Sequence, residues 1–341
     1  MNSFARRLVD WQRLHGRHDL PWQHTRDPYR VWLSEIMLQQ TQVVTVLGYY
    51  QRFLAAFPDV KALAASHLDQ VMGLWSGLGY YSRARHLHAC AQQVLNEFGG
   101  VFPRRVDQLQ KLKGIGPSTA AAIASLCFDE RVAILDGNVK RVLTRHQGFA
   151  LDLSLAANEK KLQSMADACL PDKAADMPTY TQGIMDLGAT LCTRSAPACT
   201  RCPVNADCVA AAAANPLDYP VKTRKIKRSA QSLWLLCAST QKGDVWLTQR
   251  PVRGVWASLY TQPLFDSEKQ LLEAVPANLR HSVRMTPAFV HVLTHKDLHL
   301  HACHLVLPKK TALGEGAWYS AAQWPGMGLP APVRQLLAQV A

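Results

Sequence analysis

The sequence predicts a mainly α-helical N-terminal domain followed by a smaller α+β domain, and three observations support this. Residues 1–215 consist of amphipathic segments with helical spacing, separated by short breaks rich in Gly, Pro and Asp. Residues 216–228 contain two prolines and five basic residues, which is typical of an exposed connector. Over 229–341 the pattern changes to short runs with β-type alternation.

The composition agrees with a folded two-domain protein. The 341 residues are 48% apolar and 18% charged, and this length can bury two hydrophobic cores. The net charge is +13 and basic residues exceed acidic ones in all three parts of the chain. This excess suggests a polyanionic partner such as nucleic acid, the alternative being a protein that is simply basic.

Within the helical domain, the predicted breaks between helices lie around 58–59, 77–79, 99–103, 114–117 and 171–172. In the second domain, strands are predicted over 232–238, 244–249, 255–264, 289–293 and 298–307. Two helices accompany these strands, at 268–275 and 331–340.

Nine cysteines and the absence of long apolar runs predict a reducing, cytoplasmic setting. Five cysteines are scattered, which is not the pattern of a disulfide framework. The N-terminus lacks a signal-peptide core, and no stretch reaches the roughly 20 apolar residues of a membrane span. We therefore expect no association with a membrane.

The remaining four cysteines, separated by six, two and five residues, form a candidate metal site: Cys192, Cys199, Cys202 and Cys208. Four thiolates on a short segment can bind one centre with little loop-closure cost. Zinc is one candidate. Structural zinc sites usually show two short Cys-x2–4-Cys pairs, however, and only one is present here.

Residues 112–123, LKGIGPSTAAAI, have the pattern of a helix–hairpin–helix motif. Gly114 and Gly116 permit a tight turn, and Pro117 and Ser118 open an alanine-rich helix. Free N–H groups at such a helix start bind phosphate, so the motif suggests contact with a nucleic-acid backbone. An ordinary Gly-rich turn is the alternative.

Two carboxylates are candidates for catalysis. Glu35 lies in the middle of an apolar helix predicted over 29–42, where burial would raise its pKa and suit a general acid, unless it simply extends to solvent or is hydrogen-bonded. Asp136 precedes Gly137 and Asn138 at the start of another predicted helix, and capping that helix is compatible with a catalytic role. Such a pair can cleave a glycosidic bond.

These residues lie in motifs that resemble the iron–sulfur helix–hairpin–helix DNA glycosylases, the superfamily of endonuclease III. Within it, the chain is similar to the MutY-type adenine DNA glycosylases over nearly its whole length. The motifs that carry the resemblance are WLSEIMLQQTQ at 32–42, GLGYYSRAR at 77–85, LKGIGPSTAAAI at 112–123, LDGNVKR at 135–141 and MDLGATLCTRSAPACTRC at 185–202.

The resemblance implies a helical glycosylase domain at 1–215, with an iron–sulfur loop at 192–208 that binds a [4Fe-4S] cluster rather than zinc. It also implies that 216–228 is a basic linker and that 229–341 is a Nudix-like domain recognising 8-oxoguanine. That domain lacks a Nudix box, so we expect no pyrophosphatase activity.

The implied reaction is removal of adenine paired with 8-oxoguanine or guanine in double-stranded DNA. The adenine is flipped out, Glu35 protonates its N7, Asp136 stabilises the cationic sugar, and Asn138 helps order Asp136. Ser118 stands where the superfamily's bifunctional lyases have a lysine nucleophile, so a monofunctional enzyme is expected.

Two alternatives remain at this point. One is a bifunctional glycosylase/lyase for damaged pyrimidines, against which Ser118 and the extra domain argue. The other is a non-catalytic iron–sulfur DNA-binding protein, against which the presence of both Glu35 and Asp136 argues.

The resemblance also implies substrate contacts. Trp22, Gln40 and Gln182 would line the adenine pocket, and Gly114 and Gly116 would hold a phosphate. Tyr80 would wedge into the base stack, unless it is a core tyrosine. His295 would sense 8-oxoguanine, unless it is one more member of a His-rich stretch. The enzyme is expected to act as a monomer at the bacterial nucleoid.

The sequence departs from the family's pattern in the loop around His295. The family's Phe-Ser-His is replaced here by Leu293-Thr294-His295, which keeps the hydroxyl and the imidazole but loses the aromatic ring.

Overall fold

The computed structural model describes residues 3–224 and 227–339. Residues 225 and 226 of the predicted linker, and residue 340 at the end of the predicted C-terminal helix, lie outside the described residues. The chain forms two compact units. The first comprises the residues up to Tyr50, Phe57–Ala64 and the residues from Ala89 to Arg224, and the second comprises Gln51–Ala56, Ala65–His88 and the residues from Lys227 onward.

The second unit therefore includes helical segments from the N-terminal half of the sequence. The hydroxyls of Ser76 and Tyr81 both donate to the carbonyl of Leu329, at 2.9 and 2.8 Å. A Cβ on Gly73 would lie 2.1 Å from the carbonyl oxygen of Gly326, so the backbones approach closely there. Because such contacts join residues about 250 positions apart, the sequence pattern alone did not assign 65–88 to this unit.

The helical part of the chain has the predicted breaks between its helices. The helices are α1 (Ser3–His15), α2 (Pro28–Leu38), α3 (Val43–Ala56), α4 (Val60–Ala65), α5 (Leu68–Trp75), α6 (Ser82–Phe98), α7 (Val106–Leu109), α8 (Pro117–Phe128), α9 (Gly137–Gln147), α10 (Ala156–Ala168), α11 (Met177–Thr190) and α12 (Val209–Ala212). Among the described residues, none of the helices has both the length and the apolar character needed to cross a bilayer.

Helix α11 is central to the first unit, where it packs against α1, α8 and α9. Leu8 on α1, Leu143 on α9 and Leu187 on α11 are fully buried in its core. The alanines of α8 are also fully or almost fully buried. Small side chains allow neighbouring helix backbones to approach, so this Ala-rich segment forms a central helix and not a surface one.

Helix α2 ends four residues earlier than the sequence predicted. It is capped by Asp27, whose side chain accepts a hydrogen bond from the Tyr29 N–H at 3.0 Å, and it stops at Leu38 instead of residue 42. Gln39 has extended ψ, and Gln40 has a φ of 58°. The prediction of helix over 29–42 was wrong at its C-terminal end, because the backbone turns here to place Gln39 and Gln40 beside a pocket.

The C-terminal part of the second unit contains a mixed sheet. Its long central strands, β1 (Ser229–Thr240) and β7 (Lys296–Leu307), are parallel, with Trp234 opposite His301. Helices α13 (Glu268–Ala274) and α14 (Ala331–Ala338) accompany the sheet as predicted. The remaining strands are β2 (Val245–Gln249), β3 (Tyr260–Thr261), β4 (Leu264–Phe265), β5 (Arg284–Met285), β6 (Phe289–Val292) and β8 (Ala317–Tyr319).

The predicted strand over 255–264 is wrong. Trp256 and Ser258 have φ values of 57° and 62°, in the left-handed region that interrupts a strand. The segment instead turns, with the Ser258 N–H donating to the carbonyl of Pro251 at 3.0 Å, and only β3 and β4 form at its end. The two short strands β5 and β8 were not predicted, since each is too short to show alternation.

Candidate active site

The first unit contains a pocket of about 1030 Å³ at the end of α2 and the N-termini of α8 and α9. The sequence-predicted site residues that line it are Trp22, Glu35, Gln40, Ser118, Asp136, Asn138 and Gln182. Residues from four separate regions of the sequence thus lie around one cavity. Its volume is large enough for a small organic group such as a nucleobase.

Glu35 is carried on α2, where its neighbours Ser34 and Ile36 are buried. Glu35 itself is only partly buried, as a residue that lines a pocket must be. The surrounding protein nevertheless raises the pKa of Glu35 from 4.5 to about 7, through burial first and the nearby charge of Asp136 second. At neutral pH a large fraction of this carboxyl therefore carries a proton that it can donate.

Asp136 caps α9, as the sequence predicted, and its side chain accepts a hydrogen bond from the Val139 N–H at 2.7 Å. Burial raises the pKa of Asp136. The N–H groups of Val139 and Asn138 and the charges of Arg141 and Lys140 oppose that rise. These opposing groups favour the charged form at Asp136, whereas both influences on Glu35 favour its protonated form. Glu35 is thus suited to donating a proton, and Asp136 is suited to acting as an anion.

Asn138 is oriented by Arg141. The Asn138 Oδ1 accepts from Arg141 Nη2 at 2.9 Å, and the same nitrogen donates to the Gly188 carbonyl at 2.6 Å. Arg141 Nε donates to the carbonyl of Cys192 at 2.8 Å. The side chain of Asn138 therefore joins a network linking α9, α11 and the cysteine loop, while its backbone N–H serves Asp136.

An ion pair between the pocket residue Arg17 and the buried Asp186 supports the pocket wall, and sequence reasoning missed it. Asp186 is fully buried and accepts from the backbone N–H of Arg17 at 3.0 Å and from Arg17 Nε at 2.7 Å. Gln182 Nε2 also donates to Asp186, at 2.9 Å, so the carboxylate orients the amide of Gln182. Asp186 lies among apolar residues in MDLGA, the same signal that singled out Glu35.

Trp22 and Gln40 occupy the wall in different ways. Trp22 is 7% exposed and packs edge-on against Tyr50, with ring centroids 5.3 Å apart. This contact fixes the indole in the pocket wall. Gln40 is exposed and left-handed, with its neighbour Gln39 donating to Thr119 Oγ1 at 3.3 Å.

The helix–hairpin–helix turn has the predicted conformation. Gly114 is left-handed, with a φ of 77°, and Gly116 is the N-cap of α8 without a capping side chain. Ile115 between them is 4% exposed and anchors the turn in the core, while both glycines are exposed. The N–H groups at the start of α8 therefore face outward, beside Ser118 on the pocket wall.

Tyr80 and the loop around His295 lie in the second unit. Tyr80 is 43% exposed, so it is not a core residue, and its φ is 48°. Its hydroxyl lies 2.8 Å from Thr294 Oγ1, next to the exposed His295. The structure thus brings these two sequence-predicted contacts together although they are more than 200 residues apart.

Arg83 holds the turn that carries Tyr80. Its guanidinium lies 5.4 Å from the Tyr80 ring centroid and 5.3 Å from that of Trp75, and Nη2 donates to the Gly79 carbonyl at 3.2 Å. Burial lowers the pKa of Arg83 to about 10. A charged group sandwiched between two rings stabilises this left-handed stretch of backbone.

The cysteine loop has the chemistry of a metal cluster site. Arg145, 2% exposed, donates to Cys192 Sγ at 3.4 Å. The pKa of Cys202 is raised to about 11, by burial first and then by the charges of the other three thiols, so the four sulfurs are electrostatic neighbours. Four neighbouring sulfurs with a buried cationic donor fit a bound cluster.

A site for a single metal ion is distinct from the cluster site of the cysteine loop. Within residues 3–224 and 227–339, no group of three or more His, Cys, Asp or Glu side chains is arranged to hold a metal ion. This includes the His-rich strand β7, where His301 instead stacks on Trp234 with centroids 4.3 Å apart.

Comparison with known proteins gives two domain matches and several relatives. Residues 33–167 match the HhH-GPD superfamily base excision DNA repair protein family, and residues 234–339 match the NUDIX domain. The adenine DNA glycosylase of Buchnera aphidicola subsp. Schizaphis graminum is 34% identical, covering 98% of this chain and 97% of the relative. The adenine DNA glycosylase of Mus musculus is 41% identical over 61% of this chain and 42% of its own.

Solved structures resemble the helical part. A thermostable thymine-DNA glycosylase aligns with a TM-score of 0.55 and 29% identity, covering 62% of this chain and 95% of that one. Endonuclease III in a non-covalent DNA complex aligns with a TM-score of 0.51 over 62% of this chain and 94% of its own. At 18% identity, the second likeness concerns the fold alone.

Proposed function

The chain belongs to the adenine DNA glycosylase family and removes adenine from DNA in base excision repair, and we propose that it does so opposite 8-oxoguanine or guanine in double-stranded DNA. The observation that carries the mechanism is the meeting of Glu35 and Asp136 in one pocket, with a pKa of about 7 at Glu35. An enzyme that breaks a glycosidic bond needs one proton donor and one stabilising anion.

Glu35 supplies the proton. The adenine is extruded from the duplex into the pocket, because its glycosidic bond is inaccessible within the base stack. Protonated Glu35 donates to N7 of adenine, which makes the base a better leaving group. The carboxylate that remains then accepts a proton from the water that replaces adenine at the sugar.

Asp136 stabilises the positive charge that develops on the sugar. Its hydrogen bond from the Val139 N–H fixes the carboxylate before substrate arrives, so little reorganisation is needed during the reaction. Asn138 contributes its backbone N–H to the same carboxylate. The adenine is held by Trp22, Gln40 and Gln182, whose side chains line the pocket.

Ser118 makes the enzyme monofunctional. It lines the pocket at the second position of α8, where an amine nucleophile would be needed to form a Schiff base with the sugar. A serine hydroxyl forms no Schiff base. The product is therefore an intact strand with an abasic site.

The opposite base is read in the second unit. Tyr80 inserts beside 8-oxoguanine, and His295, with the neighbouring hydroxyl of Thr294, contacts its oxidised edge. The supporting observations are the exposure of Tyr80 and its 2.8 Å contact to Thr294. Gly114 and Gly116 hold a backbone phosphate at the start of α8.

The four cysteines hold a [4Fe-4S] cluster with a structural and DNA-docking role. Supporting this are the sulfur donor set, the Arg145 hydrogen bond to Cys192, and the exposed Arg194 and Arg201 between the ligands. The test is purification under anaerobic conditions, with measurement of iron, labile sulfide and visible absorption. About four irons per chain supports the cluster, whereas one zinc per chain would contradict it.

One assay separates the functions in question. We expect the protein to act as a monomer in the cytoplasm, associated with the nucleoid. For the assay it is incubated with duplexes containing A:8-oxoG, A:G or thymine glycol, with and without hot alkali. Alkali-dependent cleavage at adenine supports the proposal. Alkali-independent nicking would indicate a lyase, and binding without base release would indicate a non-catalytic module.

A further inference from the structure

The loop proposed to read 8-oxoguanine, Leu293–Thr294–His295, connects β6 and β7. Its ends are fixed by backbone hydrogen bonds: the Leu293 N–H donates to the Lys296 carbonyl at 2.8 Å, and the Ser229 N–H donates to the His295 carbonyl at 3.1 Å. These two bonds leave the carbonyl of Thr294, at the tip of the loop, to be satisfied by another group.

That group is Arg228. Its Nη1 donates to the Thr294 carbonyl at 2.9 Å, and its Nη2 forms an ion pair with Asp297 at the start of β7. One planar guanidinium therefore joins the tip of the loop to the strand that follows it. Lysine, with a single ammonium group, does not present two donors in this fixed geometry.

We propose that Arg228, held by Asp297, is a positioning residue that determines the specificity of the enzyme for 8-oxoguanine over guanine. By fixing the Thr294 carbonyl, Arg228 fixes the direction of the Thr294 hydroxyl, which lies 2.8 Å from the Tyr80 hydroxyl. The inference rests on the proposed function, because it assumes that this loop reads the opposite base.

The structure favours this role over a direct phosphate contact. Both Nη atoms of Arg228 are engaged within the protein, and its side chain is 42% exposed beside the 34% exposed Asp297. The carboxylate of Asp297, paired with Arg228, offsets the positive charge that would attract a phosphate. The preceding residue, Lys227, is also exposed and provides a matched basic control.

The experiment compares the full-length variants Arg228→Ala, Arg228→Lys, Asp297→Asn and Lys227→Ala with the wild type. Single-turnover excision rates and dissociation constants are measured on A:8-oxoG and A:G duplexes at several salt concentrations, with Tm as a control for folding. We expect Arg228→Ala and Asp297→Asn to lower the 8-oxoG/G preference about three- to tenfold, with A:G excision nearly unchanged. Arg228→Lys should not restore the 8-oxoG/G preference, and Lys227→Ala should retain the wild-type preference.

Two outcomes would overturn the inference. One is an unchanged preference in Arg228→Ala. The other is an equal loss of binding to both duplexes with a shallower salt dependence and rescue by lysine, which is the signature of a phosphate contact. A His295→Ala variant distinguishes failure of the Arg228 inference from failure of the proposed function. If the wild type shows no preference for 8-oxoguanine over guanine, or if His295→Ala retains that preference, the assignment of the reading loop itself is wrong.

Discussion

At the scale of single residues, the proposed active site depends on two carboxylates of similar intrinsic acidity placed in different surroundings. Glu35 experiences burial and a neighbouring negative charge, and both raise its pKa. Asp136 is also buried, but two N–H groups and two cationic side chains oppose the effect. The environment, and not the residue type, therefore divides the roles of acid and anion between them.

Replacing Glu35 by Gln tests the acid role. The Glu35→Gln variant keeps the shape of the side chain but has no proton to donate to the base, so we expect adenine excision to fall at least about 100-fold. Binding to an A:8-oxoG duplex should remain within a few-fold of the wild type. Single-turnover kinetics and electrophoretic binding measure the two quantities, and near-normal turnover would rule the role out.

The same residue should make stability depend on pH. Burial raises the pKa of Glu35 from its ordinary 4.5 to about 7 in the folded protein. Between these pH values the folded state binds more protons than the unfolded state, so stability falls as pH rises through this window. Glu35→Gln lacks this loss. Thermal unfolding should show that the free energy of unfolding of the variant, relative to that of the wild type, increases from pH 5 to pH 8 by up to about 3 kcal/mol. A difference independent of pH would contradict the raised pKa.

Asp136 combines capping and charge, and two substitutions separate these functions. Asp136→Asn retains a good N-cap but loses the charge, whereas Asp136→Ala loses both. We expect both variants to lose at least about 100-fold in excision rate, and only the alanine variant to lose about 1 kcal/mol of stability. Excision by Asp136→Asn at the wild-type rate would show that the carboxylate acts only as a cap.

At the scale of elements, the position of Asp136 depends on how α9 packs against α11. A Cβ on Gly188 of α11 would lie 2.8 Å from the Cβ of Asn138, closer than real Cβ contacts allow. The glycine thus lets the N-terminus of α9 approach α11 closely. Arg141 bridges the same contact through the Gly188 carbonyl.

Substituting this glycine should displace the catalytic cap. We expect Gly188→Ala to lower stability by about 1–3 kcal/mol and to reduce excision, because α9 must move away from α11. Gly137→Ala is the matched control for stability, since a Cβ on Gly137 meets nothing within 4 Å. Chemical denaturation and single-turnover rates measure the effects. Equal stability of the two variants would argue against a close contact.

At the scale of the whole molecule, the second unit combines C-terminal residues with helices from the first half of the chain. Asp69 accepts from the Tyr260 hydroxyl at 3.2 Å, and Arg85 donates to the Ala257 carbonyl at 2.7 Å. Tyr80, in the turn between α5 and α6, contacts Thr294 in the same unit. The proposed reading of the opposite base therefore involves one compact unit and not the C-terminal segment alone.

Deleting 229–341 tests this assignment. We expect the truncated protein to lose discrimination between 8-oxoguanine and guanine more than it loses adenine excision, since Glu35 and Asp136 remain. Its Tm should also fall, because residues on 65–88 lose packing partners, among them the buried Met72, which lies beside Gly328. Excision ratios on the two duplexes and thermal unfolding provide the measurements, and unchanged discrimination would contradict the assigned role.

The sequence by itself determined the fold class and family, since these depend on local properties. The change from helical to strand periodicity at residue 229 is visible in the chain, and so are the cysteine spacing and the isolated carboxylate of Glu35. The helical and Nudix-like α+β parts and the adenine DNA glycosylase family are confirmed. The Asp136 cap is also confirmed, because capping depends on a few neighbouring residues.

Only the tertiary structure decided the features that depend on distant residues. It ended α2 at Leu38, turned the segment around Trp256, and buried Asp186 against Arg17. It also placed 65–88 in the second unit. Each of these results from packing between segments far apart in sequence, where contacts and desolvation outweigh local propensity, so the pattern of neighbouring residues does not specify the partners or the bounds.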